Sequence, residues 1–343
     1  MSPLPFPMIL VVSPYHVTTR EAPVMAALLL GERVVTMTPA PLTGSRRERA
    51  EAAATKVPPY LSLLRSWEWT VPLWEAGVLS SSFEGHDPVD DVRSACRRID
   101  RDGRYAALRP LMRPGLFDTD EGYLDSISRD LLKGGPDPAI CVPVSAAMDR
   151  FALTHGLAPV RSEAMSVAQK AEEKLGARAF AVVLPVLVQG GSGHLLAARR
   201  VLGDELAGLV RAIDAERGAP EIPTGGHARP RVNAASKPVP SATLAHAAKR
   251  YAEAFEGNWN GIARAETVGD DETRAVAGMV AITGLRLPYD AVLASSVSAF
   301  EAAAGRSLNG SHATPPAAAL AERDALEGRT LVSLVVRVLG GRR

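Results

Sequence analysis

The stretch MILVVS, from Met8 to Ser13, is an apolar run with no polar alternation and is rich in Val and Ile. A strand of this kind is dry on both faces, which in a soluble chain points to a parallel sheet covered by helices. The residues that follow fit such a sheet. Ala22 to Leu30 reads as an apolar helix that stops at Gly31, a residue suited to a left-handed cap, and Arg33 to Thr38 reads as a second strand. Strand, helix and strand within about 30 residues is the size of a minimal βαβ unit, so the two strands are expected to run parallel.

From Ser45 to about Leu157 the pattern is mainly helical, broken by EGHDP, RPGLFD and KGGPDP. A helix rich in Ala, Glu and Lys then ends at Gly176 and leads into Phe180 to Val188, which is apolar on both faces. Pro185 lacks the amide hydrogen that a central strand needs, so it predicts an edge position or a bulge. A single long helix is expected over Leu195 to Arg217, with Leu195, Leu202, Leu206, Leu209 and Ile213 along one stripe. Gly218 to Pro240 carries five prolines and three glycines and no apolar period, which marks a linker or surface arm. Beyond it, Ser241 caps a helix expected to end at Gly257, and Ala275 to Leu287 and Thr330 to Leu339 read as strands.

The expected fold is therefore a helix-rich, mixed α/β class. Residues 1–217 form an α/β domain whose amino-terminal βαβ unit carries a helical insertion over about 45–157. Residues 218–240 link it to a smaller α+β region, 241–343, which either stands apart or completes the same sheet. At 343 residues the chain is long enough to bury a large core, and 46% hydrophobic with 22% charged residues is an ordinary globular balance. A net charge of +1 supplies no sequence-wide attraction for nucleic acid or anionic lipid, so neither is an expected partner. The amino-terminal run lacks the positive flank of a signal peptide and is too short to span a bilayer. Cys96 and Cys141 lie far apart and suggest neither a disulfide framework nor a cysteine zinc site, so a reducing cytoplasm is expected. No residue pattern names a cofactor.

Two stretches invite a chemical reading. VVSPYHVTTREAP, Val11 to Pro23, lies at the carboxyl end of the first strand, where open α/β sheets place ligand crevices. There His16 is the candidate acid or base, and Thr18 and Thr19 the groups that orient a substrate. The plainer account is a capping box of Thr18 with Glu21, Pro23 sitting in the first helical turn. VQGGSGHLLAARR places Gly190, Gly191, Ser192, Gly193 and His194 between a strand and a helix, where close backbone approach and a helix amino terminus suit an anion. It has neither the P-loop lysine nor the spacing G-x-G-x-x-G, and a turn capped by Ser192 explains it as well.

Other clusters read as structure. His86, Asp87, Asp90 and Asp91 suggest a metal only until Asp87 and Pro88 are recognised as a helix start. Asp118, Asp120 and Gly122 miss the register of a calcium loop. Cys141 sits in an apolar run with no flanking charge to activate a thiolate. HARPRVNAASKP, in the linker, is a solvated basic arm. Tyr60, Trp67, Trp69 and Trp74 gather three of the four tryptophans, which serve either core packing or stacking on a ligand or partner. Two functions follow. One is an enzyme acting by acid/base chemistry on a phosphate-bearing small molecule, a nucleotide or sugar phosphate. The other is a non-catalytic interaction protein that binds a protein partner through the tryptophan-rich insertion and the proline-rich arm. The first requires His16 and the glycine turn to face one hollow; the second requires an exposed patch holding at least two of the three tryptophans.

Overall fold

The computed structural model describes residues 8–36, 48, 52, 55–81, 120–133, 138–162, 177–218, 240–266, 273–288 and 329–341. Among them are one mixed sheet of seven strands and nine α-helices, so the fold is mixed α/β. In chain order the elements are β1 (Ile9–Val12), α1 (Pro14–Thr19), α2 (Ala22–Leu30), β2 (Arg33–Thr36), α3 (Pro58–Ser66), a 3-10 turn (Glu68–Thr70), α4 (Val71–Glu75) and β3 (Leu79–Ser81). There follow α5 (Asp120–Leu132), α6 (Pro138–His155), β4 (Ala158–Ser162), β5 (Ala177–Gln189), α7 (Ser192–Val201), α8 (Gly203–Gly218), α9 (Ala242–Ala263), β6 (Val276–Pro288) and β7 (Thr330–Gly341).

The spatial order is β3-β2-β1-β4-β7-β6-β5. β3, β2, β1, β4 and β7 run parallel, β6 is antiparallel to β7, and β5 is antiparallel to β6. β5 therefore points the same way as β1. The strands of the carboxy-terminal third complete the sheet, with β7 seated between β4 and β6. From β1 the chain builds outward through β2 and β3, then returns to lay β4 on the other side of β1. The β1/β4 boundary is thus the point where strand order reverses, and the carboxyl ends at such a point are where open α/β sheets place ligands.

One helix organises the core. Every residue of α2 from Pro23 to Leu30 is buried, because the helix lies across the sheet, touching β1, β2, β4, β7 and β5, and is covered by α7. A helix enclosed on all sides has to be apolar all round, and APVMAALLL is. Its cap differs from the expected one. Gly31 has φ −69°, not a left-handed value, and glycine is needed there for close approach. A Cβ would stand 3.0 Å from the Ala27 carbonyl oxygen, 3.1 Å from Val34 and 3.2 Å from Leu10. The carbonyls at this end are held by Arg199 of α7, whose guanidinium donates to Leu28 O, Leu29 O and Gly31 O at 2.7–3.1 Å.

Pro185 lies on β5, and β5 is an edge strand, as its missing amide hydrogen requires. The Pro185 carbonyl accepts a buried hydrogen bond from the Tyr251 hydroxyl of α9 at 3.0 Å, which ties the edge to the helix covering it. The single helix expected over 195–217 is two, parting at Leu202 just before Gly203. α9 begins at Ser241, whose Oγ accepts from Leu244 N at 3.1 Å, but continues through Gly257 to Ala263. His86, Asp87, Asp90, Asp91, Asp118 and nearly all of the 218–240 arm lie outside the described residues. Among the described residues no helix is long and apolar enough to cross a membrane.

Candidate functional site

His16 is not in a loop. Ser13 ends β1 as the N-cap of α1, with Pro14 at the first helical position, and the helix carries His16 into the interior. The imidazole is 0% exposed, and neither ring nitrogen has a hydrogen-bond partner among the described residues. Burial, with a smaller contribution from the nearby Arg161 cation, lowers its pKa to about 3, so the ring is neutral at pH 7. Its Nε2 faces Glu21 Oε2 at 3.9 Å, a contact between a neutral ring and a carboxylate rather than an ion pair.

Glu21 takes a different place from the expected one. It is the N-cap of α2, but its side chain makes no capping bond, and no capping box joins it to Thr18. Instead its carboxylate accepts from Thr19 Oγ1 and from Ser162 Oγ at the end of β4, both at 3.1 Å. It thereby ties the end of α1 to the end of β4. The Thr18 hydroxyl donates back to the Pro14 carbonyl at 2.9 Å, and the single Thr19 hydroxyl proton is shared between the Tyr15 carbonyl at 2.8 Å and Glu21. Both threonines are therefore inside the helix end, with intramolecular partners. Between the helices Arg20 adopts φ 50°, a left-handed conformation uncommon outside glycine. Its guanidinium lies 4.9 Å over the Trp69 ring and donates to Thr273 Oγ1 at 3.1 Å.

The tryptophan segment belongs to the same neighbourhood. Trp67 Nε1 donates to Thr18 Oγ1 at 3.0 Å, and Trp74 Nε1 donates to Thr70 Oγ1 at 3.0 Å. Trp67 and Trp69 are 0% and 2% exposed, and Trp74 is half-buried. The exposed tryptophan patch expected of an interaction protein is therefore not formed by Trp67 and Trp69. Large rings beside an apolar core are worth more inside it; the Trp67 N–H is served by Thr18, whereas Trp69 Nε1 is buried with no hydrogen-bond partner among the described residues. Tyr60 is buried with them.

Near His16, Arg161 of β4 pairs with Asp149 of α6 at 2.5 Å and donates to Ser333 of β7 at 3.3 Å. Burial pushes the Asp149 carboxyl up, against the opposing pull of Arg161. Tyr15 donates to Asp130 of α5. Among the described residues, Thr36 Oγ1 at the end of β2, Ser128 Oγ on α5 and Asp149 Oδ2 are buried without hydrogen-bond partners, as are the nitrogens of His16. Such orphans are uncommon in folded proteins; of these, Thr36 ends β2 and His16 follows β1, at the carboxyl ends of two adjacent strands.

No protein family, curated protein or solved structure matches this chain. The site stands on its own geometry.

The glycine turn follows β5, so it leaves the sheet at the same end as His16, with β4, β7 and β6 between them. No hydrogen bond or ion pair among the described residues joins the two. Gly191 is the N-cap of α7, and the cap bond is made by His194, whose Nδ1 accepts from Gly191 N at 3.1 Å. Ser192, expected to cap, is the first helical residue, and its Oγ is buried with no hydrogen-bond partner among the described residues. Burial lowers the pKa of His194. An open groove of about 790 Å³ between α3 and α5, lined by Lys56, Pro58, Asp125, Arg129 and Leu132, holds none of these residues. Cys141 lies on α6. Among the described residues no group of three or more His, Cys, Asp and Glu side chains is placed to hold a metal.

Sequence reasoning missed Glu21, Arg161 and Asp149 as members of the site. Glu21 was legible only as a helix start, and nothing in the sequence pairs it with Ser162, 141 positions away.

Proposed function

We propose that this chain is an enzyme acting on a small phosphate-bearing molecule, a nucleotide or sugar phosphate, by proton transfer through His16 at the carboxyl ends of β1 and β4. One observation carries the reading: a buried, neutral imidazole with no hydrogen-bond partner on either nitrogen, set at the strand-order reversal. A histidine kept only for packing would leave polar atoms unsatisfied at about 1–3 kcal/mol with nothing in return. In this reading Thr18 and Thr19 hold α1 and Glu21 in place, and Trp67 and Trp69 wall the site.

The phosphate falls to Gly190, Gly191, Ser192 and Gly193, backed by His194. Support comes from the shared end of the sheet and from the unpartnered Ser192 hydroxyl at the amino end of α7. Because His16 is sealed, substrate enters as the surrounding turn opens. The reading includes an α/β domain over 1–217 built on an amino-terminal βαβ unit with its insertion at about 45–157, a region 241–343 that adds strands to the sheet, and a cytoplasmic setting. The rival reading, an interaction protein, has less behind it: two of its three tryptophans are buried.

Thermal-shift screening against nucleotides and sugar phosphates tests the proposal. A ligand at 100 times its dissociation constant adds about 2.7 kcal/mol of stability. The shift is expected in the wild type and is lost in His16→Gln and in Gly191→Val. A wild-type chain that no member of the set stabilises would overturn the enzyme reading, and a shift that survives both substitutions would move the site elsewhere.

A further inference from the structure

We infer that Glu21 is the group through which His16 exchanges protons with solvent, the imidazole acting as a two-sided relay that takes a proton on one nitrogen and releases another from the other. The inference rests on the reading of His16 as the proton-transfer group. Its geometric basis is separate from any substrate. His16 is fully enclosed, whereas the Glu21 side chain that meets Nε2 at 3.9 Å is 30% exposed. Glu21 thus touches the sealed ring on one side and water on the other. Its carboxylate is held in that position by Thr19 Oγ1 and Ser162 Oγ rather than spent on capping α2. The charged groups placed near the ring by these contacts are Glu21 and Arg161, and Arg161 is already committed to Asp149 and Ser333.

A relay is also what this ring can do. An imidazole whose basicity burial has depressed so far does not hold a second proton near neutrality, so storage as imidazolium is closed to it. Passing a proton across the ring avoids that state. The substrate's proton forms a bond to Nδ1 and leaves its electron pair on the substrate; the Nε2–H bond breaks, and that proton forms an O–H bond with Glu21 Oε2, which yields it to water. The ring is neutral before and after and has only changed tautomer. The reverse transfer, Nδ1 to product and Glu21 to Nε2, restores it. Closing the 3.9 Å gap to hydrogen-bond distance is the kind of tightening that proton-transfer sites undergo when loaded.

The experiment reads the ring proton of His16 in the full-length, ligand-free protein labelled with ¹⁵N-histidine, its resonance assigned by its loss in His16→Gln. Exchange of that proton with water between pH 6 and 8 is expected to slow by about tenfold or more in Glu21→Gln and by less in Glu21→Asp, with the backbone amide spectrum of the sheet unchanged. A merely structural Glu21 would leave the exchange rate alone, and an equal rate in wild type and Glu21→Gln would overturn the relay. If Glu21→Gln does not fold, Ser162→Ala, which removes the donor that holds Oε2, is expected to slow the same exchange; an unchanged rate there overturns the relay equally. Slowed exchange beside an empty ligand screen would retain the relay and remove the enzyme. A His16-dependent ligand with unaltered exchange would do the reverse.

Discussion

Burying His16 with neither nitrogen bonded costs the fold about 1–3 kcal/mol relative to an apolar side chain of similar shape, because the water lost from the ring is not replaced. His16→Leu is therefore expected to raise stability by about 1–2 kcal/mol in urea unfolding while abolishing the proposed ligand response; a destabilised variant would mean the ring is bonded in solution. The same residue sets a pH dependence. The folded pKa, about 3, lies below the ordinary histidine value of 6.5, so between these values the unfolded chain binds the extra proton and the folded chain does not. Stability from this source is full above pH 6.5 and is lost as pH falls toward 3, at up to about 1.4 kcal/mol per pH unit. His16→Leu is expected to flatten the acid limb of a plot of unfolding free energy against pH by one proton. An unchanged slope would place the titration in another group.

At the scale of elements, α2 is the piece on which the others are assembled, and its carboxyl end is its weak point. Helix carbonyls at that end lack intrahelical donors, and here water is largely kept away. Arg199 serves three of them at once from α7, so a residue on one helix completes the hydrogen bonding of another. Its charge also suits the negative end of the helix dipole. Arg199→Leu is expected to cost about 2–4 kcal/mol, and Arg199→Lys, which keeps the charge but not the fork, about half of that by chemical denaturation. Equal losses in the two variants would show that packing of the stem, not the fork, does the holding. The edge of the sheet shows a different accommodation. Gly284 on β6 pairs with Phe180 on β5, where a Cβ would stand 2.3 Å from the ring, so the glycine makes room for the aromatic on the edge strand.

Across the whole molecule, the pair Arg161–Asp149 fastens α6 to the centre of the sheet at β4, with Ser333 of β7 as a third member. Desolvation outweighs the attraction of the arginine at Asp149, whose pKa is raised, as expected when two charges leave water together. Removing one partner strands the other. Arg161→Met alone is expected to cost about 3–5 kcal/mol, and the double variant Arg161→Met with Asp149→Leu to recover most of that loss, measured as a double-mutant cycle by chemical unfolding. Additive losses in the cycle would show that the two residues act apart.

Local chemistry was enough for the elements. The unalternated run at β1, the all-round apolar α2, the edge placement of Pro185 and the Ser241 cap each follow from forces that act within a few residues of chain. It also marks His16 as a candidate, because the end of a buried first strand is a place where position alone suggests a ligand. The rest depended on which distant segments meet. The tryptophans could be read as core or as docking surface until Trp67 was found bonded to Thr18 and Trp69 beneath Arg20. Glu21 has the spacing of a cap in sequence and becomes the partner of His16 and Ser162 only when β4 is laid beside β1. Helix and strand arise from periodicity, which a chain carries along its length; burial and charge environment arise from neighbours brought in from far away, and the free energy that decides them exists only once the sheet has closed over α2.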